Sequence, residues 1–288
     1  MSKKEEILIV KASGLKVAFS ENKLRKSLYR SGAHEDQVDI IIDEIVDSLS
    51  EGMSTKEIYK KAFRLLKNTS GPLAARYKLK QAILELGPTG FPFERFISEL
   101  LKYRGYNTEV GKIVQGHCVQ HEIDVIAEKD NHHFMIECKY HNQQGFVSNV
   151  KIPLYIQSRF LDVEKKWKSL EGHSEKFHQG WVITNTRFST DAEKYGVCMG
   201  MQLVSWDFPL NNGLKDWIDQ SGLYPITSLT TLRLIDKQKL LDLNYVLCRS
   251  INHNPNILKE IGLEKDRIPK VLDECKALCE SIINHIHQ

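Results

Sequence analysis

The segment His121-Glu-Ile-Asp-Val-Ile-Ala127, followed by Phe134-Met-Ile-Glu-Cys-Lys-Tyr140, decides the fold of the central part of the chain. Both segments are rich in β-forming residues, and the first alternates polar and apolar positions. The polar run between them has Asp130-Asn131 at its centre, a pair that is typical of tight turns. The pattern predicts a β-hairpin, and a turn centred on that pair sets Asp124 opposite Glu137.

In the same register Glu122 lies opposite Lys139, so all four charged side chains project from one face of the hairpin. Two directly opposed carboxylates destabilise a strand pair unless their charge is neutralised. A divalent cation held by Asp124 and Glu137, with Lys139 beside it, would neutralise them. A surface salt-bridge ladder is the simpler alternative, although two opposed acids with one central lysine fit it poorly.

Composition limits the classes of protein to which the chain can belong. Its 288 residues predict two or three domains, and a hydrophobic content of 41% is enough to form buried cores. The net charge of +3 means that any contact with nucleic acid depends on local patches. No apolar run approaches the length of a membrane span, and residues 1–6 lack the apolar core of a signal peptide. The six cysteines are scattered, so we expect a cytoplasmic protein with reduced thiols and no membrane partner.

Around the hairpin the sequence predicts alternating helices and strands. Phe91–Gly105 is an amphipathic helix, and a strand follows it before the hairpin. A long helix from Lys151, a buried strand at Gly180–Asn185, a helix capped by Thr190 and a last strand at Gln202–Trp206 come after it. This order predicts an α/β fold over residues 89–215, with a central mixed sheet flanked by helices.

The two ends of the chain have different patterns. Residues 1–88 predict a small α+β domain, in which two short strands precede four helices, the last continuous from Leu73 to Leu86. Residues 216–288 predict a small helical domain with the three helices Asp236–Ile251, Asn256–Leu263 and Arg267–Ile283.

The arrangement of Asp124 with Glu137-Cys138-Lys139 resembles the PD-(D/E)xK nucleases. With the preceding helix that carries Glu94, the order of elements resembles the catalytic domain of Mrr-like type IV restriction endonucleases over about residues 89–210. More distantly it is similar to archaeal Holliday-junction resolvases. The resemblance implies a restriction-endonuclease-like sheet and Mg²⁺-dependent hydrolysis of DNA.

The resemblance also implies a role for each group. Asp124 and Glu137 would bind Mg²⁺ through carboxylate oxygens, with the carbonyl of Cys138 as a further ligand. Lys139 would orient the attacking water and stabilise charge in the transition state. Glu94 matches a helix carboxylate of relatives that binds the metal through water, and Gln157 lies where relatives carry a polar active-site residue.

The order of motifs in residues 1–88 resembles the ATP-cone, a nucleotide-sensing domain of ribonucleotide reductases. The resemblance is carried by Val10-Lys11, Gly14, Phe19, Lys23-Leu24, Ser54-Thr55-Glu57-Ile58 and Ala74-Ala75-Arg76-Tyr77. It implies that Lys11 and Lys23 contact the phosphates of ATP or dATP and that Thr55 lies near the base or sugar. A domain that keeps this fold and binds nothing is the alternative.

Near the C-terminus, Glu260-Ile-Gly-Leu263 with Ile268, Val271 and Leu272 resembles a helix-hairpin-helix module over about thirty residues. Such a module would present backbone amides to a DNA phosphate. A helical packing or dimerisation domain is an equal alternative, so a homo-oligomer is among the predicted partners.

Taken together, the sequence predicts a Mg²⁺-dependent DNA endonuclease with a restriction or DNA-repair role, regulated by ATP or dATP. One alternative is a nucleotide-responsive DNA-binding regulator with a non-catalytic nuclease fold. Another is a nucleotide-controlled assembly protein.

Overall fold

The computed structural model of the chain describes residues 7–11, 13–172 and 177–280. At the N-terminus, two short strands pair antiparallel around the turn at Gly14, as the sequence predicts. Five helices follow them. The elements are β1 (Leu8–Val10), β2 (Lys16–Ala18), α1 (Glu21–Arg30), α2 (Glu35–Asp47), α3 (Thr55–Thr69), α4 (Gly71–Tyr77) and α5 (Leu79–Leu84).

The predicted continuous helix from Leu73 to Leu86 is wrong, because the structure divides it at Lys78. The two halves differ in their packing. Helix α4 contributes Ala74 to the core of the N-terminal helices and Ala75 to the large core of the rest of the molecule, whereas Leu79 and Ile83 of α5 belong to the large core. A change of packing partner therefore breaks a helix whose local sequence is continuous.

The central part of the chain is a five-stranded mixed sheet between helices, as predicted. Its strand order is β3-β4-β5-β7-β9, antiparallel from β3 to β5 and parallel from β5 to β9. The elements are α6 (Phe91–Tyr103), β3 (Asn107–Gln115), β4 (Gln120–Lys129), β5 (His132–Lys139), β6 (Val147–Ser148), α7 (Lys151–Trp167), β7 (Phe177–Thr184), β8 (Arg187–Phe188), α8 (Thr190–Cys198) and β9 (Gln202–Val204).

The predicted hairpin of β4 and β5 is present, and its register is as expected. Ile126 lies opposite Met135, and the turn residues Asp130 and Asn131 have φ angles of 49° and 61°. Two consecutive positive φ values define the type I′ turn that matches the twist of a two-residue hairpin, and Asp and Asn tolerate this conformation. A turn that only a few residues can form thus fixes the register.

The central strand β5 is covered on both faces, which explains why residues 134–138 are all buried. Helix α8 is also present, but Ser189 rather than the predicted Thr190 caps it. The Ser189 hydroxyl accepts a hydrogen bond from the Ala192 backbone N–H at 3.2 Å. Adjacent Ser and Thr are both good caps, and only the backbone conformation decides between them.

The C-terminal part is helical, as predicted, but more divided. Its helices are α9 (Leu214–Ser221), α10 (Leu234–Asp242), α11 (Cys248–His253), α12 (Ile257–Glu260) and α13 (Ile268–Glu280). The predicted single helix Asp236–Ile251 is wrong: Asn244 has a φ of 64°, and Leu247 forms a β-bridge with Pro225. Residues 281–283 of the last predicted helix lie outside the described part of the chain.

Two cores organise these elements. One fills the N-terminal helices, and the other is continuous from α5 and α6 through the sheet into α9–α13. The C-terminal helices are therefore built onto the same core as the sheet. Among the described residues no helix is long and apolar enough to cross a membrane. No disulfide joins cysteines in the described part of the chain.

Candidate active site

The two strands of the hairpin separate at the predicted acidic pair. The ladder between β4 and β5 ends at Val125 opposite Ile136, one residue before the pair. Beyond this point, Asp124 Oδ2 accepts a hydrogen bond of 2.6 Å from the Cys138 backbone N–H. The side chain of Asp124 therefore replaces a backbone ladder bond, and the carboxylate is held over the end of β5.

Glu137 lies on the same face and is almost fully buried, with 7% of its side chain exposed. Its two oxygens contact two different cations. Lys139 Nζ lies 2.5 Å from Oε1, and an Arg159 guanidinium nitrogen on α7 lies 2.7 Å from Oε2. Lys139 therefore pairs with Glu137, although the register predicted from the sequence places Glu122 opposite it.

Arg159 was not among the predicted site residues. It also donates to the backbone carbonyl of Glu122, so it joins α7 to both strands of the hairpin. The sequence offers only a weak signal for it, a cation two positions after Gln157 on a helix that crosses the hairpin. The contact depends on how that helix lies across the sheet.

Asp124, Glu137 and Arg159 line a cleft of about 320 Å³, which we call the acidic cleft. Its other lining residues are Gln120, His121, Glu122 and Tyr155. The cleft is open to solvent.

Two carboxyl groups at the acidic cleft, those of Asp124 and Glu94, have raised pKa values. Burial, together with the nearby charge of Glu137, raises the pKa of Asp124 to about 6. Burial also raises the pKa of Glu94, on the first turn of α6, to about 7, with added repulsion from Asp124, Glu122 and Glu137. The predicted Glu94 thus shares the electrostatic field of the hairpin acids, and a bound cation would relieve their repulsion.

The donor set suits Mg²⁺ better than a metal that needs a complete protein cage. Among the described residues, no three His, Cys, Asp or Glu side chains lie together as a metal-binding group. Mg²⁺ typically takes one or two carboxylates and fills its remaining positions with water and substrate phosphate oxygens. Asp124, Glu137 and the Cys138 carbonyl fit that pattern. Binding at Glu137 would compete with its two ion pairs.

Gln157 is buried between α7 and the sheet, and its Oε1 has no hydrogen-bond partner among the described residues. A buried amide oxygen without a partner is unusual, and water or a ligand normally satisfies it. None of its contacts joins it to Asp124 or Glu137, so its predicted active-site role stays a prediction.

A second contact that the sequence did not reveal fixes the rim of the acidic cleft. Asp162 on α7 lies 2.7 Å from His121 Nε2, and it accepts backbone N–H bonds from Cys118 and Val119. The hydrogen bond with His121 holds the pKa of Asp162 well below its ordinary value. One carboxylate thus ties the β3–β4 turn to the helix that carries Arg159.

The three residues predicted to bind nucleotide, Lys11, Lys23 and Thr55, line one cavity of about 220 Å³. Tyr59 and Tyr77 line it too, with their rings stacked 5.1 Å apart at an angle of 14°. We call this the N-terminal cavity. The cavity brings two lysines, a hydroxyl and aromatic rings together from four elements of the chain.

The turn that resembles a helix-hairpin-helix has Gly262 in the left-handed region, with a φ of 79°. The N–H of Gly262 donates to the Lys259 carbonyl at 2.9 Å, and the N–H of Leu263 donates to the Leu258 carbonyl at 3.0 Å. These two amides are used inside the protein, so they do not support a phosphate site at this turn.

Comparison with known proteins supports the central prediction. Residues 87–207 match the family model described as "Restriction endonuclease", and residues 224–279 match the one described as "AF1548-like, C-terminal". The prediction of a restriction-endonuclease domain in the middle of the chain is thereby confirmed. Neither match includes residues 1–86, so nucleotide binding there stays a prediction.

Two relatives match a large share of the chain. An "Uncharacterized protein" of Archaeoglobus fulgidus is 40% identical over 184 residues, covering 62% of this chain and 98% of that protein. A solved structure titled "Crystal Structure of Protein of Unknown Function AF1548" is 36% identical, with a TM-score of 0.55, and covers 67% of this chain and 100% of that one.

Proposed function

The chain belongs to the AF1548-like family, and we propose that its restriction-endonuclease domain is a Mg²⁺-dependent nuclease that hydrolyses DNA phosphodiester bonds. The observation that carries this proposal is the set of buried and half-buried charges on one face of the hairpin. Asp124, Glu137 and Lys139 sit where the strands separate, beside a cleft.

In this proposal, the metal ligands and Lys139 have separate roles in hydrolysis. Asp124, Glu137 and the Cys138 carbonyl would hold the ion, which supplies Lewis-acid polarisation of the phosphate and a more acidic water. Lys139 would release Glu137 Oε1 as the ion binds, and its ammonium group would then contact the attacking water and the phosphate.

Arg159 and Glu94 have supporting roles in this proposal. Arg159 keeps its contact with Glu137 Oε2 and fixes the orientation of that carboxylate, because the guanidinium is also anchored on the Glu122 carbonyl. Glu94, whose pKa near 7 leaves it readily protonated or ionised, would exchange a proton with water at the cleft.

We also propose that ATP or dATP binds in the N-terminal cavity and regulates cleavage. Lys11 and Lys23 would contact the phosphates. Thr55, Tyr59 and Tyr77, which line the same cavity, would contact the base or sugar. The signal would reach the cleft through α5, which contacts the segment that follows Lys139. Tyr140, directly after Lys139, donates its hydroxyl to the Leu84 carbonyl at 2.6 Å and accepts the Gly87 N–H at 3.0 Å.

One observation favours a second candidate function. Both oxygens of Glu137 are occupied by cations, an arrangement that would also suit a DNA-binding regulator in which the nuclease fold is a non-catalytic platform. Such a protein would retain DNA without cleaving it in Mg²⁺ or Mn²⁺.

The test is a cleavage assay on linear, supercoiled, methylated and branched DNA with Mg²⁺, with and without ATP or dATP. We expect Mg²⁺-dependent products from at least one substrate and no products from Glu137→Gln. Glu109→Gln, which changes an exposed glutamate on β3 of the same sheet, is the matched control and should cleave normally. DNA binding without cleavage of any substrate would favour the regulator, and equal cleavage by Glu137→Gln would exclude the assigned site.

A further inference from the structure

A second charged concavity lies beyond the carboxyl ends of the parallel strands β5 and β7. It has a volume of about 210 Å³ and is bounded by α5, residues 144–147 and residues 185–187. Its charged lining residues are Lys80 and Arg187, and no carboxylate lines it among the described residues. We call it the cationic pocket. In α/β sheets, the crevice outside the carboxyl ends of parallel strands is a preferred place for ligands.

The two cations repel each other and are only partly compensated. Burial lowers the pKa of Lys80, and the charge of Arg187 lowers it further, with a partial offset from Asp207. Arg187 has no ion pair or side-chain hydrogen bond among the residues that the structure describes, and the ammonium of Lys80 lies 5.6 Å from the ring centre of Trp206. An anion between these cations would remove the repulsion, and guanidinium groups bind phosphate oxygens in pairs.

The cationic pocket is joined directly to the catalytic strand. The side chain of Asn185 accepts the His141 N–H at 2.9 Å and donates to the His141 carbonyl at 2.7 Å. Asn185 lines the pocket, and His141 follows Lys139 by two residues, so the pocket is in direct contact with the segment that leaves the catalytic strand.

One wall of the pocket favours a polynucleotide over a free phosphate. Phe146 is 51% exposed, and its ring stacks on that of His141 with 5.0 Å between centres and an angle of 7°. An exposed ring whose other face is already stacked can contact a base or sugar of a nucleic acid. Inorganic phosphate has no base or sugar to make that contact.

We propose that the cationic pocket binds a backbone phosphate of the DNA strand whose scissile phosphate lies in the acidic cleft. This assignment rests on the proposed function. It makes α5, which follows the N-terminal helices, part of the DNA-binding surface through Lys80.

The experiment is the salt dependence of affinity for duplex DNA, measured on Glu137→Gln so that binding is observed without cleavage. Each lost phosphate contact makes the slope of log Kobs against log salt shallower by about 0.9. We expect that change for Lys80→Met and for Arg187→Gln, with weaker binding at every salt concentration. Lys168→Met removes an exposed charge on the far end of α7 and should keep the slope of Glu137→Gln.

The outcomes separate the two proposals. If Glu137→Gln itself has no affinity for any DNA, both the proposed function and the pocket assignment fall. If it binds DNA and the pocket variants keep its slope, only the pocket assignment falls. Titration with ATP and with inorganic phosphate forms a further arm: loss of ATP affinity in the pocket variants with an unchanged DNA slope would mean that the pocket serves a free nucleotide, contrary to our assignment.

Two features protect the test from loss of folding. Lys80→Met keeps a long unbranched side chain beside Trp206, and Arg187 is exposed on β8. Circular dichroism shows whether both variants are folded. If Lys80→Met does not fold, the salt dependence of Arg187→Gln alone tests the pocket assignment.

Discussion

The acidic cleft and the N-terminal cavity are built in opposite ways. In the acidic cleft, Glu137 is held by ion pairs with Lys139 and Arg159, and Asp124, which accepts the Cys138 N–H, has a raised pKa. In the N-terminal cavity, the charged groups Lys11 and Lys23 are exposed and make no ion pair or side-chain hydrogen bond among the described residues.

This difference predicts different consequences of mutation. The carboxylates of the acidic cleft repel each other, and this repulsion destabilises the folded state whether or not a ligand is bound. Variants of the acidic cleft should therefore change stability and activity together. Exposed lysines have little effect on folding, so variants of the cavity should change only the response to its ligand. The predictions below test this contrast.

A large effect on the cleavage rate is expected at Lys139. Replacing it by Met keeps the aliphatic stem and removes the charge proposed to stabilise the transition state, which should lower the cleavage rate about 10²–10³-fold. Single-turnover cleavage in Mg²⁺ measures this. Lys112→Met changes an exposed lysine on β3 and serves as the control. A rate within twofold of the wild type would remove Lys139 from the mechanism.

Asp124→Asn should abolish cleavage and, in the absence of metal, stabilise the fold. Folding raises the pKa of Asp124 from its ordinary value of 3.8 to about 6, so the folded state binds the proton more tightly than the unfolded chain. The stabilisation from protonation is complete below the ordinary pKa and is lost as pH rises through about 6. At pH 7 the neutral variant should gain roughly 1–3 kcal/mol of unfolding free energy.

Urea unfolding in EDTA from pH 4 to 8 measures that gain. The advantage of Asp124→Asn should shrink as pH falls below 6 and vanish below about 4. A constant difference at all pH values would show that the charge of Asp124 is not the cause.

Tyr140→Phe breaks the connection between the acidic cleft and α5. It leaves the Leu84 carbonyl and the Gly87 N–H without their partner, which should cost about 1–2 kcal/mol of stability. If the nucleotide signal uses this route, ATP or dATP should no longer change the cleavage rate although it still binds. Tyr103→Phe, at a half-exposed position on α6, is the control.

The smallest change in stability is expected for the double variant Lys11→Ala/Lys23→Ala, less than about 0.5 kcal/mol. Its affinity for ATP or dATP should nevertheless fall, because two phosphate partners are lost. Calorimetric titration measures the affinity, and Lys26→Ala on the exposed face of α1 provides the comparison. Unchanged affinity in the double variant would remove the proposed nucleotide site.

Predictions that depend on neighbouring residues were confirmed more often than those that depend on contacts between residues far apart in the chain. The β4–β5 hairpin and its register come from Asp130-Asn131 and local alternation, so the sequence alone could predict them. The helix breaks at Lys78 and Asn244 could not be predicted in this way, because they arise where segments change packing partner or pair with distant residues such as Pro225.

The site shows the same division. Asp124, Glu137 and Lys139 are close in sequence, and the pleat of two adjacent strands is enough to bring them to one face. Arg159 and Asp162 reach the cleft from α7, a helix whose placement depends on packing against the sheet. The sequence register alone places Glu122 opposite Lys139, whereas the strands separate before this position and Lys139 pairs with Glu137.

The sequence by itself determined the order of elements, the acidic pair with its lysine, and three of the residues that line the N-terminal cavity, namely Lys11, Lys23 and Thr55. Each of these depends on periodicity, turn chemistry or motif spacing within a short segment. Only the tertiary structure decided which cations hold Glu137, how Tyr140 contacts α5, and that Lys80 and Arg187 face one pocket. Those contacts join residues far apart in the chain, and the packing of the helices on the sheet brings them together.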